Sequence, residues 1–226
     1  MIIIFGASGG IGRFLFHVFR DSGEMVLGTR FSAKQDELDL VQVDVSDYSN
    51  VKEWCDGLLT KGLEKIVLIN CAGISFASTL HKSDNTEWKR VIDVNIGGVY
   101  NTVRCLLPAM REQGYGRIIN FSSVVANISV MGTSAYATSK AALHSFVRSI
   151  AIENASKGIT ANNISLGYSE IGMGQTKITE EMRKDLLERI PAKRFCRPDE
   201  ILAGVKFLIE NQYVNGASID MDGGLS

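Results

Sequence analysis

Tyr136 and Lys140 stand four residues apart in "YATSK", and Ser123 lies thirteen residues before the tyrosine in "NFSSVV". On a helix that spacing puts the phenol and the ammonium on one face. A free tyrosine has a pKa of about 10, so acid–base work near neutrality needs a downward shift of roughly three units, or ~4 kcal/mol. A neighbouring ammonium favours the phenolate and supplies part of that shift. A serine hydroxyl beside the pair holds a substrate oxygen in line with the phenol. Such a set moves a proton to or from a carbonyl or alcohol oxygen. The same residues also fit a loop serine beside an ordinary amphipathic helix, so the choice rests on the elements that would position them.

Those elements alternate. "IIIF" reads as a buried strand, and Ile11, Phe14, Leu15, Val18 and Phe19 follow at helical spacing, with Gly23 placed to end that helix. "MVLGT" and "LVQVDV" read as the second and third strands, and a helical pattern covers about 49–60. "KIVLIN" is the fourth strand, about 85–112 a long helix, "RIINFSS" the fifth strand and about 135–154 a helix. "ITANNIS" is the sixth strand, helical patterns cover about 179–189 and 198–210, and "ASIDMD" closes the series. Apolar strands separated by helices pair in parallel with helices on both faces. The expected fold is α/β: a Rossmann-type doubly wound parallel sheet of about seven strands in a single domain, 1–226. Only about ten residues separate the second strand from the third, too few for an ordinary crossover helix, so a turn or loop is expected there.

The chain has 226 residues, 45% of them apolar and 22% charged, which is globular composition. A net charge of −1 gives no reason to expect nucleic acid or an anionic membrane as partner. No apolar run approaches the ~20 residues of a membrane span, and the first residues do not read as a secretion signal. Four scattered cysteines read as free thiols of a cytoplasmic protein, and three histidines without ligand spacing assign no metal.

"FGASGGIG" joins the first strand to the first helix. Its glycines permit a tight turn and let backbone N–H groups approach a pyrophosphate at the helix N-terminus. The candidate cradle is Gly6, Ser8, Gly10, Ile11 and Gly12. An acid at the end of the second strand would read a ribose 2′-hydroxyl, and a base would accommodate a 2′-phosphate. That strand ends in Thr29 and Arg30, and a guanidinium pairs well with phosphate, so NADP(H) is favoured over NAD(H).

With "VDVSD" (Asp44, Val45), "NCAG" (Asn70, Ala72, Gly73), "VNIGGV" (Asn95), "SSVV" and "YATSK", the chain resembles the short-chain dehydrogenase/reductase family over essentially its full length. "RIPAKRFCRPDEILAGVKFLIEN" and "NGASIDMDGG" are similar to the C-terminal region of its 3-oxoacyl-acyl-carrier-protein reductase branch. The resemblance implies a catalytic set of Asn95, Ser123, Tyr136 and Lys140. Tyr136 would exchange the proton, helped by Lys140 and the positive nicotinamide ring, and Ser123 would hold the substrate. Lys140 would also bind the nicotinamide ribose, and Asn95 would hold a water linking Lys140 to solvent. Asp44 and Val45 would meet the adenine, and Asn70 to Gly73 the ribose.

Three departures from the family pattern stand out. Cys71 replaces a second Asn, Leu166 a proline, and Ile171 the threonine that bonds the carboxamide, leaving Gly167 and the backbone near Ser169 for that contact. Residues of about 168–190 are the expected substrate lid, with Val125, Met131, Tyr168 and Met173 as pocket walls beside Ser123. The resulting reading is an NADPH-dependent carbonyl reductase acting reversibly on a small carbonyl or alcohol, with a 3-oxoacyl thioester as one candidate. The alternatives are an NAD-linked alcohol or sugar dehydrogenase, and a cofactor-binding subunit without turnover. By resemblance the protein is a homotetramer or homodimer.

Overall fold

In the computed structural model, which describes residues 1–32, 39–173 and 178–226, the apolar run Ile2–Phe5 forms strand β1, buried throughout. The chain continues through α1 (Gly10–Asp21), β2 (Val26–Arg30), β3 (Val41–Gln42), α2 (Tyr48–Leu59) and β4 (Val67–Asn70). It then runs through α3 (Asn85–Ile92), α4 (Gly98–Gln113), β5 (Gly116–Ser123), α5 (Ser134–Asn154) and β6 (Ile159–Leu166). It closes with α6 (Glu180–Arg189), α7 (Pro198–Glu210) and β7 (Ser218–Met221). The described strands form one parallel sheet ordered β3-β2-β1-β4-β5-β6-β7. The expected doubly wound architecture is the one found. β1 pairs with β2 on one side and β4 on the other, so the order reverses there and a crevice opens at the carboxyl ends of these strands.

Each face of the sheet has its own core. Leu68, Val103, Leu106, Met110, Leu143 and Val147 are buried on the face covered by α2, α4 and α5. Leu15, Phe16, Phe19, Ile201, Val205 and Leu208 are buried on the face covered by α1 and α7. A third, small cluster of Leu186, Ile190 and Phe195 packs α6 against Tyr168 and Ile178.

The middle of the sheet also carries a row of amides. Asn70, Asn120, Asn163 and Ser218 are register partners on β4, β5, β6 and β7. Asn70 Nδ2 donates to Asn120 Oδ1 at 2.8 Å, and Asn120 Nδ2 to Asn163 Oδ1 at 3.1 Å. Asn163 Nδ2 donates to Ser218 Oγ at 2.9 Å, and Thr102 of α4 donates to Asn70 Oδ1 at 2.9 Å. Every buried amide in the row therefore has its partners.

Two elements differ from expectation. The long helix of 85–112 is broken by a π-helical turn at Asp93–Gly97, between α3 and α4. The cause is Asn95, whose amide turns inward onto the backbone of Ile74. The third strand is only two residues long, because Asp44 N–H leaves the ladder for Asn50 Oδ1 at 2.7 Å. Most of the expected turn between β2 and β3, residues 33–38, lies outside the described residues.

Candidate active site

β5 carries Ser123 to the carboxyl edge of the sheet, and α5 brings Tyr136 and Lys140 up against it within its first two turns. Ser123 Oγ accepts from Val125 N–H at 3.4 Å, and Ser123 and the Tyr136 phenol line the same two cavities. Lys140 Nζ donates to the Phe121 carbonyl at 2.7 Å and lies 5.6 Å from the Tyr136 ring centroid. Burial pushes the Tyr136 pKa up, and the Ser123 hydroxyl pulls it the other way. Among the chain's own groups, desolvation sets the direction of this shift. Burial also brings Lys140 down to about 8, with the Cys71 thiol acting against that shift.

Asn95 is fully buried beneath these groups. Its Oδ1 accepts from Ile74 N–H at 2.8 Å, and its Nδ2 donates to the Ile74 carbonyl at 2.9 Å and to Ser139 Oγ at 3.0 Å. A Cβ at Gly73 would sit 3.3 Å from Asn95 Oδ1 and 3.5 Å from Lys140 Nζ, so the missing side chain keeps the space between the two polar groups open.

The glycine loop makes a closed turn at the start of α1. Gly6 has φ +81, and a Cβ on Gly12 would lie 2.3 Å from the Gly6 carbonyl oxygen, so neither position accepts a side chain without strain. Gly10 packs directly on the backbone of Gly172. α2, α3 and α6 begin with a side-chain cap from Asp47, Asp84 and Thr179, whereas α1 begins at Gly9 with no side-chain cap. The first turn of α1 thus keeps its N–H groups available to an anion, and the residues present fit a dinucleotide pyrophosphate.

Three adjoining cavities run along the carboxyl edge of the sheet. The first, about 220 Å³, is lined by Gly6, Ser8, Arg30, Asp44, Val45 and Ala72, among others. Cys71 and Gly73 line both it and the second, of about 110 Å³, which also meets Ile11, Lys140, Gly167 and Ile171. Ser123, Tyr136, Ser169 and Met173 line both the second and the third, of about 270 Å³, which also takes Val125 and Tyr168. No charged side chain among the described residues lines the third cavity.

Most of the expected site residues therefore meet in one trough, but some do not. Met131 is 88% exposed and lines none of these cavities; its neighbour Val130 faces the third. The Asn70 side chain belongs to the amide row rather than to the trough. Ser169 turns its hydroxyl onto the Ile171 carbonyl at 2.7 Å, within its own loop. Of the expected lid, residues 174–177 lie outside the described residues, and Ile178 and Met182 line the third cavity. Sequence reasoning missed Arg90 and Val94, which line the first cavity from the helical segment ahead of Asn95. Their four-residue spacing, ending next to Asn95, was the available signal.

A family model described as "Enoyl-(Acyl carrier protein) reductase" matches residues 6–226. An acetoacetyl-CoA reductase from Allochromatium vinosum is 40% identical over 161 residues, covering 70% of this chain and 65% of that protein. A 3-oxoacyl-acyl-carrier-protein reductase from Thermotoga maritima is 32% identical over 237 aligned residues, covering 99% of this chain and 96% of that protein. Among solved structures, a candidate gluconate dehydrogenase from Agrobacterium tumefaciens superposes with a TM-score of 0.91 at 28% identity, covering 100% of this chain and 95% of that one.

Proposed function

The chain belongs to the short-chain dehydrogenase/reductase family of oxidoreductases, and from that premise we propose that it is an NADPH-dependent reductase of ketones carried on short 3-oxoacyl thioesters. One observation carries the reading. Ser123 and Tyr136 stand where a trough shaped for a dinucleotide meets a cavity that no charged side chain lines among the described residues. NADPH bound in the trough supplies the hydride. Ser123 and Tyr136 hold the substrate carbonyl oxygen between their hydroxyls, and the Tyr136 phenol gives that oxygen its proton. Lys140, fixed by the Phe121 carbonyl, binds the nicotinamide ribose and faces the space that Gly73 leaves open. Asn95 borders that space and holds there the water through which a proton returns to the site.

The third cavity favours an acyl chain over a sugar acid. A carboxylate in it would find no cation to pair with among the described residues, and burying one unpaired is expensive. Tyr168, Ile178 and Met182 form its outer wall, and α6, which carries Met182, is the lid over it. We infer from the family resemblance that a second copy of the chain covers the solvent faces of α4 and α5, where Tyr100 and Ile152 are 50% and 86% exposed.

The test is NADPH oxidation by the purified protein with acetoacetyl-CoA, beside Tyr136→Phe. Turnover by the parent and a loss of at least about a thousandfold in the variant is expected, within the range of general acid–base catalysis. Equal turnover in both would remove Tyr136 from the chemistry. No turnover of any 3-oxoacyl thioester, alongside oxidation of a sugar acid, would reverse the choice of substrate.

A further inference from the structure

Two arginines reach the adenosine end of the trough, from different elements. Arg30 leaves the end of β2, and Arg90 stands in the last turn of α3, four residues before Val94. Both line the first cavity. Their holding differs. Arg30 is braced on the loop that follows its strand: Nε donates to the Leu40 carbonyl at 3.0 Å, and Nη1 donates to the Ser32 carbonyl. Arg90 has one loose ion pair, Nη1 to Glu87 Oε2 at 3.6 Å, and both of those side chains are about half exposed. Such pairs contribute little, so Arg90 can turn to a stronger anion at small cost.

Asp44 is the one carboxylate lining this cavity among the described residues. Its Oδ1 is already occupied, accepting from Ser46 N–H at 2.9 Å and from Ser46 Oγ at 2.7 Å. The cavity thus presents two guanidinium groups against one carboxylate that is partly tied up.

We propose that Arg90 is a second reader of the cofactor's adenosine 2′-phosphate, acting from α3 while Arg30 acts from β2. The proposal rests on the reading of this trough as an NADP(H) site. A phosphate dianion accepts several charge-assisted bonds and so accommodates two planar cations at once. A ribose 2′-hydroxyl offers nothing comparable. An arginine that only stacked on the adenine would help NADPH and NADH alike. Comparing the two cofactors therefore isolates the phosphate.

The experiment is calorimetric binding of NADPH and of NADH to the whole protein, for the parent, Arg90→Gln and Arg30→Ala. Arg90→Gln is expected to weaken NADPH about tenfold, the loss of one charge-assisted contact, and to leave NADH within about twofold. Arg30→Ala is expected to act in the same sense. Equal weakening of both cofactors by Arg90→Gln would make Arg90 an adenine contact and overturn the proposal. No change in either would overturn it as well. A parent protein that binds NADPH no more tightly than NADH would overturn the cofactor reading itself, and the proposal with it; the other outcomes bear on Arg90 alone.

Discussion

Tyr136 and Lys140 share a helix face and a buried setting, and burial moves their pKa values in opposite directions, up for the phenol and down to about 8 for the ammonium. For Lys140 this has a thermodynamic sign. The free side chain titrates near 10.4, so from about pH 8 to 10.5 the unfolded chain binds a proton that the folded chain has released. Stability at Lys140 therefore rises with pH across that window, by at most about 3 kcal/mol. The cost of burying the charge is fully present below pH 8. Urea unfolding at pH 7.5, 9 and 10.5 checks this against Lys140→Met, in which the rise should disappear. A parallel pH dependence in the two proteins would assign the effect to other groups. The residue types and their spacing made this pair readable in the sequence. The direction of the tyrosine shift was not readable, because it depends on how much solvent α5 and β5 remove from the phenol.

The elements show where a linear reading stops. Apolar periodicity runs unbroken through residues 85–112, so nothing local distinguishes the π-helical turn at Asp93–Gly97 from α-helix. Its cause is a contact with Ile74, twenty-one residues earlier in the chain. Asn70 was read as a cofactor residue for the converse reason. The last three residues of "NCAG" line the trough, but the asparagine itself ends β4 and faces its neighbours in the sheet. The amide row then makes a graded prediction. Asn120→Ala leaves Asn70 Nδ2 and Asn163 Oδ1 without their bonds in a buried layer, which should cost about 3 kcal/mol in urea unfolding. Ser218→Ala, at the edge-strand end of the row, should cost about 1 kcal/mol. Equal costs at the two positions would mean that the row adds nothing beyond packing.

At the scale of the whole molecule, a doubly wound parallel sheet and its carboxyl edge as the place of the site were legible from the alternation of apolar runs and helical patterns. Those two features bring Ser123, Tyr136 and Lys140 together with the glycine loop. The walls contributed by distant segments were less legible: Arg90 enters from α3, and Val130 lines the third cavity where Met131 was expected. Self-association is tested at the same scale. Light scattering should give a dimer or tetramer for the parent and a smaller species for Ile152→Asp, which puts a charge on the exposed face of α5. A monomeric parent would remove the proposed contact. The row of amides across β4 to β7 has one more effect. These strands are parallel and joined by long crossovers, so no tight turn dictates how each slides against the next. A slip of one residue would set Asn120 against Ile69 or Cys71, and Asn163 against Ile119 or Phe121. Each misaligned pairing would strand amides in an apolar layer, so the row proofreads the assembly of the sheet and admits only the alignment that delivers Ser123 to its place.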